Sequence, residues 1–539
     1  MDDMAMRIGV LMGLVLGLGA GGAQAWEMPV AGLPLGPRSL VTQVSAQEID
    51  PGVMLYQVAR GADDPQDAWT ATVGFYRTAE TASADAAVLT QAGFTPGLEA
   101  GAAYGVWLGV GRFASEAEAK ALAGRIAAAA PKLRPVARHT GLAGGPTTGP
   151  WLINVLAIDP AHTQARLVVA LPGGDDLGED GETVTQAARR LGALAAVNGS
   201  FFTNIVPHGE STRPRSPVGA TVIDGRLVAA ATGGKPGVMI TTGADGRQSV
   251  RLLAHIATRI LLEDAQGAAI AVRTIDRPIL GTVVNCGTPG QAPTTLPAHD
   301  VICTNADDLV LYDDLYARRR FSNTRVNPAF RDTAFELVVD AAGSVVDGHT
   351  TLGSAPPAGG FVLQGLGVSA AWLRAHASPG TKLRVSRSLA ADGHDVPLVP
   401  GVSVLEGGPS LSVTDLEANA AKEGFGPTVA GSDAGDASGL ANDNWFNGWY
   451  VGRNGRTDIG VAADGTVLLV QIDGRQPGLS LGTTIPETAA VMRWLGAVSA
   501  LNLDGGGSSN MVVRGRSVGH PSDGGGERGV GDTIVVVGR

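Results

Sequence analysis

The stretch Ala500-Leu-Asn-Leu-Asp-Gly-Gly-Gly-Ser-Ser-Asn-Met-Val-Val-Arg514 decides how the rest of the chain is read. Leu501 and Leu503 alternate with Asn502 and Asp504, the period-2 pattern of a half-buried strand, which places Asp504 at the strand's end. Three glycines follow, and Met511 to Val513 reads as a second short strand. Successive glycines cost backbone entropy, and a hairpin needs only about two special turn residues. The surplus predicts a backbone lying close to something, with peptide N–H groups turned toward an anion. Ser508 and Ser509 add hydroxyls at the same place. A solvated Gly-rich surface turn is the plainer reading of this string, and the residues on either side argue against it.

Upstream, Thr466 to Asp473 is the second arm of a hairpin turned at Asp464-Gly465, and it too ends in Asp-Gly, as Asp473-Gly474-Arg475. Between the two Asp-Gly ends, Thr484 to Leu495 reads as a helix with Pro486 and Glu487 in its first turn. If the two strands are neighbours, both carboxylates emerge at one edge of a sheet. Asn198, Arg456, Arg475, Glu527 and Arg528 are the polar residues able to join them. Arginine forks match phosphate or carboxylate, and paired carboxylates serve glycosyl transfer to water. A P-loop is excluded because no lysine follows the glycines. A serine hydrolase is excluded because the Gly-x-Ser-x-Gly elbow is absent. No cofactor is expected, and the spacing of the acids does not indicate a divalent metal.

The chain has 539 residues, a net charge of −11 and a pI near 5.3, which argues against nucleic acid or an anionic membrane surface as the main partner. With 44% hydrophobic and 17% charged residues it is a folded chain of two or three domains, not a disordered one. Its 77 glycines suit short strands joined by many turns. Residues 1–25 read as a secretory signal: Ile8 to Ala20 is apolar but too short to span a bilayer, and Ala23-Gln24-Ala25 is a small-x-small cleavage site before Trp26. No other apolar run is long enough to span, so an exported, periplasmic, envelope-associated or extracellular protein is expected. In such a compartment Cys286 and Cys303, the two cysteines of the chain, are expected to form a disulfide closing the loop from Gly287 to Ile302.

In chain order, residues 39–60 read as two strands turned at Pro51-Gly52. From Asp67 a β-α unit repeats: Trp69 to Tyr76 (strand), Thr81 to Ala92 (helix), Tyr104 to Phe113 (strand), Ser115 to Ala130 (helix, with a Ser115/Glu118 capping box), then a last strand at Leu133 to Arg138. The paired Val-Gly-x-aromatic strands, Gly93-Phe94 and the Glu-Ala-Glu-Ala helix resemble a SPOR (sporulation-related repeat) domain over residues 67–140. That resemblance implies a βαββαβ, ferredoxin-like module binding peptidoglycan. It assigns no ligand residues. Residues 141–150 are a Gly/Pro/Thr linker. Short strands alternate with turns to about residue 400, and 412–452 reads as a long loop with helix at Asp415 to Lys422.

Asn198-Gly-Ser-Phe-Phe, Gly407-Gly-Pro, Arg456 to Gly460, Asp473-Gly-Arg, Ser480-Leu-Gly, Leu495-Gly-Ala, Leu503-Asp-Gly-Gly-Gly-Ser-Ser and Pro521-Ser-Asp with Glu527-Arg528 together resemble the phosphodiester glycosidase family, that of N-acetylglucosamine-1-phosphodiester α-N-acetylglucosaminidase. The resemblance covers roughly 150–539 in order. It implies an α+β fold: a β-rich mixed-sheet domain over 151–539, opened by the strands at 39–60 and interrupted by the SPOR-like module. His520 departs from the pattern, which has asparagine before Pro-Ser-Asp, and 412–452 has no counterpart in it.

The activity implied is hydrolysis of a sugar-1-phosphodiester at the anomeric carbon. Asp504, Asp473, Glu527, Arg475 and Arg528 are then the catalytic candidates. Asn198, Phe202, Arg456, Gly505, Gly506, Gly507, Ser508 and Ser509 are the substrate-binding ones. Plainer roles stay open: Asp473 capping its turn, Glu527 and Arg528 as an ion pair, Asn198 holding a tight turn. The competing class is a non-catalytic binder of envelope glycan.

Overall fold

The computed structural model describes residues 25–101, 104–174, 181–203, 215–277, 280–287, 292–294, 297–316, 326–426 and 446–539. The expected signal, residues 1–24 of it, lies outside the described residues. Thr42–Asp50 and Val53–Arg60 form the expected antiparallel pair. Val53–Arg60 then pairs with Trp151–Ile158, which pairs with Val467–Ile472, then Arg456–Ala462 and Ala497–Asn502. The result, among the described residues, is a six-stranded sheet to which residues on both sides of 61–150 contribute. Val467–Ile472 is buried along its whole length, the mark of a strand covered on both faces. Leu468 and Val470 enter one apolar cluster, with Ile485, Ala489 and Met492 of the helix Ile485–Trp494. Leu469 and Val467 enter another on the opposite face. The helix starts where its residues dictate: Thr484 and Glu487 form a capping box, with Pro486 in the first turn.

That second cluster is shared with a five-stranded antiparallel sheet of Arg516–Ser517, Met511–Val513, Ala195–Asn198, Thr533–Val537 and Arg166–Ala170. Ala497–Asn502 belongs to the first sheet and Met511–Val513 to the second, so the Asp504 turn is where the chain crosses between them. A further sheet, built around the 17-residue strand Gln248–Asp264, and a neighbour containing Leu309–Tyr312 and Phe335–Val339 enclose their own core.

Between the two halves of the first sheet lie Trp69–Tyr76, Ala79–Gln91, Pro96–Gly101, Gly105–Phe113, Glu116–Ala129 and Val136–His139. Their four strands pair antiparallel, Pro96–Gly101 beside Gly105–Phe113, then Trp69–Tyr76, then Val136–His139. The first helix is capped by Thr78, three residues before the expected start, and the second by Ser115 with Glu118 as expected. Pro96–Gly101 (PGLEAG) carries no strand pattern of its own. Both helices pack on one face of this sheet. From the other face Phe75 and Trp107 enter the core cluster of the main body.

Cys286 and Cys303 are disulfide-bonded, joining the hairpin of Thr282–Val284 and Ile302–Thr304. Of the long stretch 412–452, Leu416–Lys422 is helix capped by Asp415, Phe446–Val451 is one wide helical turn, and 427–445 lies outside the described residues. Among the described residues no helix is long and apolar enough to cross a membrane.

Candidate active site

The strands ending at Asp473 and Asp504 are not neighbours: Arg456–Ala462 runs between them, antiparallel to both. They are therefore parallel to each other and still finish at one edge of the sheet. Asp504 is held in a web of backbone bonds. Its N–H donates to Gly199 O (3.1 Å), and its carbonyl accepts from Asn198 Nδ2 (2.6 Å). Burial pushes its carboxyl up, opposed by bonds from Ser508 and the Gly505 N–H and by the positive charges of Arg528 and Arg215.

Each of the three glycines leaves room for side chains that close on it. A Cβ on Gly505 would lie 2.6 Å from Trp449 Cη2; on Gly506 (φ +61°), 2.8 Å from Arg475 Nη2; on Gly507, 2.0 Å from Asp523 Oδ1 and 2.4 Å from Arg528 Nη2. Several peptide N–H groups of the turn expected to face an anion are already engaged within the protein. Gly506 N donates to Gly455 O (2.8 Å), Ser508 N to Gly505 O (3.1 Å) and Ser509 N to Gly506 O (3.3 Å), while Gly505 N serves the Asp504 carboxylate. The turn is glycine-rich so that an indole, two guanidiniums and a carboxylate can close upon bare backbone.

Those charged groups are ordered among themselves. Arg528 binds Asp523 through two bonds, Nε to Oδ2 (2.7 Å) and Nη2 to Oδ1 (2.9 Å), the fork geometry that carboxylates favour. Arg475 Nη2 stands 3.9 Å from the same carboxylate, and its side chain is 38% exposed. Among the described residues the Arg475 guanidinium makes no hydrogen bond. Its backbone sits at φ +57°, a conformation costing a bulky residue roughly 1 kcal/mol.

Other candidates lie elsewhere or do other work. Asn198 is fully buried, with Oδ1 accepting from Thr457 Oγ1 (2.6 Å) and Asn510 N (3.2 Å). Both polar groups of its side chain are engaged within the protein, and one of them holds the Asp504 carbonyl. Arg456 is also buried, donating to Thr483 O (2.8 Å) and to Trp449 O (2.5 Å), and so braces the Trp449 turn from beneath. Asp473 accepts from Gln471 Nε2 (2.8 Å) and His520 N (2.7 Å), and its other oxygen meets His520 Nδ1 (2.7 Å). The departing His520 is thus Asp473's own partner. Glu527 does not pair with Arg528: it accepts from Thr185 N (2.9 Å), in the first turn of Val184–Arg190, and from Asn510 Nδ2 (2.9 Å). Phe202 is core, against Val530 and Val535. Its neighbour Phe201 is the half-buried ring on the site's side, 6.2 Å from Trp449. Ser508 bonds Asp504 and Ser509 is buried.

A crystal structure of a protein from Burkholderia pseudomallei K96243, provisionally named an exported protein, is 58% identical, with 96% of this chain and 100% of that chain covered at a TM-score of 0.89. This chain belongs to the same family. Within it, residues 335–537 match the model of the phosphodiester glycosidase family. A curated relative, the SPbeta prophage-derived uncharacterized protein YomE of Bacillus subtilis (strain 168), is 37% identical over 84 residues, 16% of this chain and 13% of its own length. This chain thus spans about an eighth of that relative. The catalytic domain of zebrafish N-acetylglucosamine-1-phosphodiester α-N-acetylglucosaminidase, auto-inhibited by its pro-peptide, is 13% identical over 75% of this chain and 79% of that one, with a TM-score of 0.30, a likeness too slight to argue from. The provisional name of the Burkholderia pseudomallei relative as an exported protein and the disulfide are consistent with export.

Every acidic and arginine candidate lies inside the glycosidase match, and Asn198 and Phe202 lie outside it. Four participants were missed in the sequence. Trp449 sits in the stretch with no motif. Asp523 was seen only as part of Pro521-Ser-Asp. Phe201 differs from Phe202 by one position, which reverses the direction of the side chain. Asp532 is buried beside Gly199. It accepts from Ser200 N (2.7 Å) and Ser200 Oγ, and burial pushes it up to about 6, with the Asp504 charge adding to the shift. It positions the Asn198–Ser200 turn on which Asp504 rests.

Proposed function

We propose that the protein is an exported hydrolase that cleaves a sugar-1-phosphodiester of the N-acetylglucosamine-1-phosphodiester type at the anomeric carbon, acting on envelope or extracellular glycan. The observation that carries this reading is the meeting of Asp504, Arg475 and Arg528 around one glycine turn beneath the Trp449 indole. A phosphate leaving group needs its charge met more than it needs a strong acid. Arg475, with unengaged donors, takes that charge, while Asp523 holds the second guanidinium, that of Arg528, in place. Asp504 acts as base or nucleophile at the anomeric carbon. Trp449 and Phe201 offer the apolar faces that a sugar ring stacks on. Asp473 and Glu527 are bonded away from the glycine turn, to Gln471 and His520 and to Thr185 and Asn510, whereas Asp523 lies against Gly507 and is the second carboxylate of this reading.

We read 39–60 and 151–539 as one glycosidase domain, because Val53–Arg60 and Trp151–Ile158 pair along their length. Residues 67–140 are then an inserted SPOR-like module, with 141–150 as its exit linker. The βαββαβ order of strands and helices supports that assignment, and peptidoglycan is its proposed ligand. Co-sedimentation with purified peptidoglycan tests the module. The enzyme reading is tested by screening sugar-1-phosphodiesters and wall polymers for released reducing sugar. Asp504→Asn is expected to abolish release while the circular-dichroism spectrum and melting curve are retained. An Asp504→Asn protein that still releases sugar overturns the mechanism. No release by wild type from any substrate favours the non-catalytic glycan binder.

A further inference from the structure

Trp26 stands directly after the Ala23-Gln24-Ala25 cleavage pattern, and Ala25 is exposed. From Trp26 onward the chain is tied to the body of the protein. Trp26 Nε1 donates to Leu495 O (2.6 Å) at the end of the helix Ile485–Trp494. The indole meets Tyr56 edge-on, with ring centroids 5.7 Å apart. The backbone nitrogen of Trp26 lies 2.5 Å from Asp464 Oδ2. Asp464 is the first residue of the Asp464-Gly465 turn, and its other oxygen accepts from Thr466 N (3.0 Å). Its carboxyl is held below the ordinary range, burial raising it while the bonds from Thr466 and Trp26 lower it further.

We propose that cleavage after Ala25 is the maturation step, and that the α-ammonium group it creates on Trp26 locks onto Asp464. Hydrolysis of the Ala25–Trp26 bond consumes one water, leaves a carboxylate on Ala25 and frees an amine on Trp26 that is protonated near neutral pH. In the precursor that nitrogen is a neutral amide and donates one bond. After cleavage the same atom carries a positive charge 2.5 Å from a carboxylate already in place, and a charge-assisted bond is stronger than a neutral one. The titratable groups at Trp26 are Asp464 at its nitrogen and Tyr56 against its indole, with Glu27 the next residue along the chain and acting on Tyr56. The indole fixes register: a chain cut one residue earlier or later places its terminal nitrogen away from Asp464.

The sign of the pH dependence follows. The carboxylate raises the folded pKa of the ammonium above that of a free terminus, so its stabilisation is complete below the ordinary α-amino range and is lost as pH rises through the folded value.

The test uses the full chain exported by a bacterial host and a second form in which Met-Ala precedes Trp26, so that the Trp26 nitrogen remains an amide. Intact mass of the exported protein is expected to correspond to a chain starting at Trp26. Asp464→Asn is expected to lower Tm in both forms, because Asp464 also bonds Thr466, but by about 2 °C more in the matured one. That excess is expected to vanish above about pH 9. A mature terminus at any other residue overturns the proposal, as does an equal Tm loss in the two forms. Neither readout involves sugar release, so this inference and the proposed activity stand or fall separately.

Discussion

Asp504 is held between opposing effects: burial raises its carboxyl, and Ser508, Arg528 and the Gly505 N–H lower it. Because its proposed role needs the carboxylate, kcat/KM is expected to fall as pH drops through a pKa above the usual aspartate range. Arg528→Met removes one of the lowering charges, so the acid limb is expected to move to higher pH. A limb that stays in place assigns it to another group.

Lys235 invites a second measurement. It is buried, with Nζ 2.8 Å from His299 Nδ1 and 4.4 Å above the Phe425 ring. Burial lowers it to about 8, against the raising charges of Glu406, Asp300 and Glu423. A depressed lysine makes the folded state bind fewer protons than the unfolded chain, so stability rises with pH between about 8 and 10.5. Over that window wild type is expected to gain about 3 kcal/mol relative to Lys235→Met, measured by urea unfolding. Parallel profiles would mean that the lysine is not perturbed.

At this scale Asp504, Arg475 and Arg528 were legible because alternation puts one at a strand end and turn signals flank the others. Lys235, Trp449 and Asp532 were not, since their partners come from distant parts of the chain.

At the scale of elements, alternation and capping residues placed most strands and helices within a few residues. Leu309–Tyr312, Met511–Val513 and Thr533–Val537 begin and end as their β-rich runs do, and Thr183, Ser115 and Thr484 each cap the helix they precede. Pairing was less legible. Asp473 and Asp504 end strands separated by Arg456–Ala462, because hairpin order says nothing of which strand returns to the sheet's edge. The disulfide was legible from compartment alone, and its loop has consequences. With the cysteines 17 positions apart in the sequence, loop closure predicts about 3 kcal/mol of stabilisation. His299 lies in that loop, its N–H donating to Gly424 O (2.8 Å) and its ring 4.3 Å from Phe201. Cys303→Ala is therefore expected to lower Tm and also to loosen Phe201 at the site, raising KM. A Tm loss with KM unchanged would confine the disulfide to stability.

At the scale of the whole molecule, the four-stranded unit of residues 69–139 packs, among the described residues, on the segment that carries Trp449. Tyr104 packs edge-on against Phe446 and Tyr450, with ring centroids 6.1 and 5.4 Å away. Arg77 pairs with Glu417 (3.1 Å) and lies over the Phe446 ring. Residues 141–145 supply three carbonyls to Arg453: Leu142 O to its N–H (2.9 Å), Gly141 O to Nη1 (2.6 Å) and Gly145 O to Nη2 (2.7 Å). On its other side the same segment sets Trp449 against Gly505 and Gly506. A unit that served only to tether the protein would need none of these contacts. If Trp449 binds the sugar, loosening its support weakens substrate binding more than chemistry. Tyr104→Ala removes a half-buried ring at the junction, and an aromatic contact of this kind is worth about 1 kcal/mol. KM is expected to rise about fivefold with kcat nearly unchanged, and hydrogen exchange is expected to quicken at 446–452 but not in the strand Val467–Ile472. Tyr104→Phe keeps the ring and is expected to restore both. Unchanged exchange at 446–452 in a folded Tyr104→Ala protein would show that the segment holds its shape without the module.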